Sequence, residues 1–191
     1  EWPEKVLHRI EELGIWKIIN PELRGNDNLK AAFAALRQLD LKAPYPLPLL
    51  FSLFFFPLTA GTAEELIIRL NMPKAIAIAL RDTMKLKEIK TKLESASQDR
   101  LALYHILRDF SSHAMLAFAI SCRDENLKEA LFYYHYKLRL IKTSLNGKDL
   151  LNLGFTPGPS VGKALQKLLE ARILGKVKSK KEEVEFIKKY L

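Results

Sequence analysis

The residues best suited to chemistry lie between Leu145 and Ala171, LNGKDLLNLGFTPGPSVGKALQKLLEA, where two short helical patterns flank a turn of Gly154, Pro157, Gly158 and Pro159. Pro159 fits the first position of a helix, because its missing N–H would have no partner there and its φ is already helical, which places Gly158 at the N-cap. The amides of Ser160, Val161 and Gly162 then stand at a helix start, where orphan N–H groups carry partial positive charge. With a glycine permitting close approach, the chemistry this suits is capture of a phosphate oxygen. Thr156 and Ser160 add hydroxyls, and Lys148, Lys163, Lys167 and Arg172 add cations. Such a site grips backbone phosphates without reading bases. The competing reading is a tight helix-turn-helix corner packed against the body.

Other spacings carry less. The sequence has no P-loop, no HExxH, no paired-cysteine motif and no GxSxG, so no catalytic residue is assigned. Of His8, His105, His113 and His135, only His105 and His113, with Asp109 midway, could share a helix face as metal ligands. Phe110-Ser111-Ser112 reads as a helix break there, and one helix face rarely completes a metal shell, so no metal site is assigned. The cluster Phe132-Tyr133-Tyr134-His135-Tyr136 points all round a helix axis, which suits packing better than base stacking. A secondary basic face pairs Arg81 with Lys85 at i, i+4, with Lys74, Lys87, Lys90 and Lys92 adding charge, and a solvated helix face is its simpler explanation. The lone Cys122 excludes an intrachain disulfide and, within HAMLAFAISC, reads as a small core residue in a reducing, cytoplasmic setting.

The elements that must position these residues read as helices throughout, with no alternating strand pattern, and the fold class is all-α. We expect helices near 3–13, 27–39, 47–56, 63–70, 73–92, 96–109, 112–122, 125–142, 147–152, 159–173 and 180–190. Thr62 with Glu65, Ser95 with Gln98 and Ser179 with Glu182 have capping-box spacing. Residues 1–143 read as a multi-helix body and 144–191 as a small basic helical tail. The charge is asymmetric: of the net +9, residues 137–191 supply thirteen Lys or Arg against five Asp or Glu. That concentration is the electrostatic footprint of a polyanion partner. The apolar run Leu47–Pro57, LPLLFSLFFFP, is too short to span a bilayer and reads as a core helix, so no membrane partner is expected. No signal peptide is visible, and a start inside a helical pattern without methionine suggests a piece of a longer polypeptide.

The segment GKDLLNLGFTPGPSVGKALQKLLEARILGKVKSKKEE resembles the C-terminal signature of the class II tRNA nucleotidyltransferase and poly(A) polymerase family. VLHRIEELGIWKIINPEL, Val6 to Leu23, is similar to the stretch that ends the family's neck and begins its helical body. The resemblance implies an enzyme of head, neck, body and tail that adds 3′-terminal nucleotides, CCA or A, to tRNA. It implies that catalysis resides in a head with a DxD pair holding two metal ions, and that the parent uses Mg with ATP and CTP. No Asp-x-Asp occurs in this chain, so the resemblance implies an inactive portion that positions tRNA for the head and neck domains. The family's LDG-like element reads Ile173-Leu174-Gly175 here, with leucine in place of the acid.

Two other classes compete. One is a helical scaffold or dimerisation module whose hairpin is only a corner, and the other is a helix-hairpin-helix DNA-binding module, which the glycine-proline turn superficially resembles.

Overall fold

A computed structural model describes residues 3–20, 23, 27–39, 41 and 44–190, and among them every regular element is helical. The chain forms two compact units, one of residues 1–97 and 109–132, the other of residues 98–108 and 133–191.

The first unit holds α1 (Pro3–Glu12), α2 (Ile15–Ile19), α3 (Asp27–Gln38), α4 (Leu47–Phe54), α5 (Ala60–Arg69), α6 (Lys74–Glu88) and α7 (Lys90–Ala96). It also holds α9 (Ser112–Ser121) and the first part of α10 (Glu125–Tyr136). Helix α9 is its centre: every residue from Ala114 to Ile120 is buried, as expected of a helix that is apolar all round. Its alanines allow close approach, and Leu116 and Ala117 share a core with Phe33, Leu36, Leu49, Leu53 and Leu80. Each fully buried leucine contributes about 1.5–3 kcal/mol.

The run Leu47–Pro57 is a core helix, but it stops at Phe54 because Pro57 disfavours helical dihedrals at the residue before it. The segment that follows α4 is held from elsewhere in the sequence. Lys87 Nζ donates to the carbonyls of Phe56 and Leu58, each at 2.6 Å, and lies 5.2 Å from the Phe56 ring centroid. Burial lowers its pKa. Lys87 is thus a partly buried cap for another helix and not part of a solvated basic face. Ser52 Oγ, by contrast, is buried without a hydrogen-bond partner.

Two expected helices divide differently. The stretch 73–92 breaks at Ile89, whose dihedrals (φ −93°, ψ 15°) leave the helix and begin α7. Leu127, Leu131, Tyr134 and Leu138 are buried, but Lys137 (φ −127°, ψ −65°) ends the expected helix 125–142 at Tyr136 and starts a 3-10 turn, Leu138–Leu140. Two helix starts also differ. Thr59, not Thr62, caps α5 by accepting from the Thr62 amide, and Asp99 replaces Ser95, which sits inside α7 and donates back to the Thr91 carbonyl. An ionised Asp offers two strong acceptor oxygens, and Asp99 takes the amides of Leu101 and Ala102.

The second unit contains α8 (Arg100–Leu107), the end of α10, the 3-10 turn, α11 (Gly147–Asn152), α12 (Pro159–Ile173) and α13 (Lys180–Lys188). Leu145, Leu150, Ala164, Leu168 and Ile187 form the core shared by the last three helices. Ser179 caps α13, accepting from the Glu182 amide, while the Glu182 carboxylate accepts from the Lys178 amide and the Ser179 hydroxyl. Together those bonds hold the Glu182 carboxyl below the usual range.

Candidate functional site

The glycine-proline hairpin is built by α11, the turn 153–158 and α12. Asn146 opens α11 with a reciprocal capping box: its side chain accepts from the Lys148 and Asp149 amides, and Asp149 accepts from the Asn146 amide. Asn146-x-x-Asp149 has the spacing of a capping box, a signal present in the sequence itself. The hairpin closes where α11 begins, because a Cβ at Gly147 would lie 3.6 Å from Val161 Cγ1.

Gly158 is the N-cap of α12 and Pro159 its first residue, the arrangement read from the sequence. Gly158 has φ 129° and ψ −156°, a region reserved for glycine, so the turn depends on it. The donors at this helix start are only partly available. The Val161 amide donates to the Gly158 carbonyl at 3.2 Å, and the Ser160 hydroxyl donates to the Thr156 carbonyl at 2.8 Å with Thr156 Oγ1 3.5 Å away. Gly162 faces open space.

The cations divide into two kinds. Lys148 and Lys163 are exposed on α11 and α12. Lys167 is exposed too, yet its ammonium sits 4.0 Å from the Tyr190 ring centroid, a cation–π contact. Arg172 is an internal brace: Nε donates to Glu183 at 2.7 Å, Nη1 to the Lys178 carbonyl at 3.0 Å and Nη2 to Ser144 Oγ at 2.9 Å. Glu183 is fully buried and also accepts from the Ser144 and Leu145 amides. Neither role was assigned from sequence, although Glu183 stands four residues before Ile187 on the inward stripe of α13. A weaker tie joins Lys180 to Asp149 at 3.6 Å.

The secondary basic face belongs to the other unit. Arg81 forms a bidentate pair with Glu64 of α5, at 2.7 and 2.6 Å, which lowers the Glu64 pKa and raises that of Arg81 through the shared hydrogen bonds. Lys85 is exposed one turn on. Its neighbour's charge is therefore largely offset within the protein.

His105 and His113 do not share a helix. His105 lies on α8, with Nε2 3.3 Å from Glu170, whereas His113 lies on α9 beyond a break in which the Ser111 amide donates to Asp82. The side chain of His8 is outside the described residues. Among the described residues no three His, Cys, Asp or Glu side chains come together. That donor set does not fit a two-metal site. In the aromatic run Tyr134 is buried, while Tyr133 and Tyr136 are exposed and Arg100 lies over the Tyr133 ring at 5.1 Å. No helix among the described residues is long and apolar enough to cross a membrane.

Comparison with known proteins adds two findings. A family model described as tRNA nucleotidyltransferase domain 2, putative, matches residues 50–187. The A-adding tRNA nucleotidyltransferase of Geobacter sulfurreducens is 24% identical over 196 aligned residues, which cover 95% of this chain and 22% of that protein. The chain thus spans about a fifth of the length of the curated relative it matches. No solved structure matches.

Proposed function

The chain belongs to the tRNA nucleotidyltransferase domain 2 family, and from that premise we propose that it is the non-catalytic part of such an enzyme that holds tRNA while another part extends the 3′ end. In this reading residues 1–143 are the body and 144–191 a tail, and the partners are tRNA and the head and neck domains of a longer cytoplasmic polypeptide. Nucleotide addition, with its Mg, ATP and CTP, belongs to the head. Among the described residues no carboxylate set that could hold those ions comes together.

One observation supports the reading most: the region matched by the family model includes the hairpin on which Lys148 and Lys163 stand exposed, inside the segment that supplies nearly all the net charge. These lysines would meet duplex phosphates, with the helix start at Gly158 to Gly162 beside them. Thr156 and Ser160 shape the turn, Lys167 adds charge from above Tyr190, and Arg172 acts indirectly by fixing the C-terminal end of α12. Arg81 and Lys85 form a second, weaker contact region because Glu64 offsets Arg81.

The test is titration of labelled tRNA at low salt with the unmodified chain and with a Lys148→Glu, Lys163→Glu variant. Two charge reversals should weaken binding by about a hundredfold, taking about 1.4 kcal/mol per lost phosphate contact. Equal binding by the variant would remove the hairpin from the interface, and no binding by either chain would favour a scaffold. Preference for duplex DNA over tRNA would favour the DNA-binding alternative.

A further inference from the structure

The second unit carries a feature that the hairpin does not use. Between the 3-10 turn and the loop after α12 lies a shallow cleft of about 480 Å³, open to solvent. Its apolar surface comes from Leu140, Ile141 and Val177, and its cations are Lys142, Arg172 and Lys178. None of its lining residues is acidic.

The walls are fixed. Leu140 and Ile141 are tied by backbone bonds to Lys137 and Leu138, and Lys178 is held at both ends, its amide donating to Glu182 and its carbonyl accepting from Arg172. Gly175, in the left-handed region at φ 70°, closes α12 through bonds from its own amide to Arg172 and from Lys176 to Ala171. A Cβ there would meet nothing within 4 Å, so no side chain fills the cleft from that side. Leu140 is 64% exposed on the cleft. Arg172 is paired with Glu183, and the remaining cations are the exposed Lys142 and Lys178, the latter attracted by the Glu182 carboxylate.

We propose that this cleft binds one nucleoside monophosphate unit, its base laid on Leu140 and Ile141 and its phosphate between Lys142 and Lys178. Aliphatic side chains suit the flat apolar face of a base, and two ammonium groups suit a phosphate, which would compete with the Glu182 carboxylate for Lys178. The unit can be a free nucleotide or an unstacked nucleotide of an RNA strand, since the chemistry is the same. In the second form the inference rests on the tRNA-holding role proposed above and names one place where the RNA is gripped.

The test is amide-shift NMR of the chain titrated with AMP, with adenosine and with a poly-glutamate peptide, followed by competition with tRNA. AMP should shift the amides of residues 140–142 and 175–178, with adenosine weaker. A Lys142→Gln, Lys178→Gln variant, both residues exposed, should weaken AMP about tenfold. Leu140→Ala, at a site too exposed to unfold the core, should weaken it as well. AMP binding should be unchanged in the Lys148→Glu, Lys163→Glu variant, which separates failure of the cleft from failure of the tRNA reading. Displacement of AMP by tRNA assigns the site to RNA, and persistence of AMP alongside bound tRNA assigns it to a free nucleotide. Absence of AMP shifts at these amides, shifts undiminished in the glutamine variant, or an equal response to poly-glutamate overturns the proposal.

Discussion

Replacing Arg172 by Met should loosen the second unit more than any surface charge change. Arg172 joins α12 to Glu183 of α13, to the Lys178 carbonyl and to Ser144, and Glu183 is fully buried while the Arg172 side chain is 18% exposed. Methionine preserves most of the volume and removes the charge. Glu183 would keep the Ser144 and Leu145 amides but lose its counter-ion, and stranding one member of a buried pair costs about 3–5 kcal/mol. The partial exposure of Arg172 puts the expected cost at the lower end, about 3 kcal/mol. The assay is hydrogen exchange of peptides covering 144–155 and 180–188, because it reads the unit locally. At about 1.4 kcal/mol per decade, the Ser144 and Leu145 amides should lose roughly a hundredfold in protection. Glu183→Gln should do nearly as much, since its amide must set a donor against either Arg172 or the Ser144 amide. The double variant should show strong coupling, its cost falling well short of the two single costs combined. Protection within about threefold of the unmodified chain in both single variants would refute the argument that this pair braces the tail.

Further predictions concern the turn, the core and acid. Gly158→Ala should cost about 1–3 kcal/mol through backbone strain alone, as nothing lies near the new Cβ, whereas Gly162→Ala, in open helix, should stabilise by about 0.5–1 kcal/mol; thermal unfolding reads both. Ser52→Ala should raise stability by about 1 kcal/mol in urea unfolding, because it removes a buried hydroxyl without a partner, and destabilisation would contradict that reading. The Glu182 carboxyl lies below its ordinary value of 4.5, so its contribution is present above that pH and is lost as pH falls through the lower folded value. Protection of α13, measured relative to intrinsic exchange at each pH, should therefore fall below about pH 4.5, and Ser179→Ala should flatten the dependence.

Local rules carried much of this fold into legibility. Gly158-Pro159 and Ser179-x-x-Glu182 announce helix starts through side-chain and backbone chemistry within four residues, and both stand where the sequence places them. Competing local signals explain two misplaced starts: Thr59 and Thr62 are both potential caps, and the chain uses the earlier, while Asp99 outbids Ser95. What lay beyond local reading is long-range. Lys87 looks like any lysine on a basic helix, and only the fold brings the carbonyls of Phe56 and Leu58 to it. Arg172 belongs to the basic tally of the tail until α13 turns Glu183 inward. The same holds for the cleft, which brings residues 140–142 together with residues 172–178.

The central claim, that exposed lysines of the hairpin meet tRNA phosphates, is tested most directly by the salt dependence of tRNA affinity for the unmodified chain and for a Lys148→Ala, Lys163→Ala variant. Each phosphate neutralised contributes about 0.7–0.9 to the slope of log affinity against log salt. The variant should bind more weakly with a slope shallower by about 1.4–1.8. An unchanged slope, even with weaker binding, would contradict direct phosphate contact by these two residues.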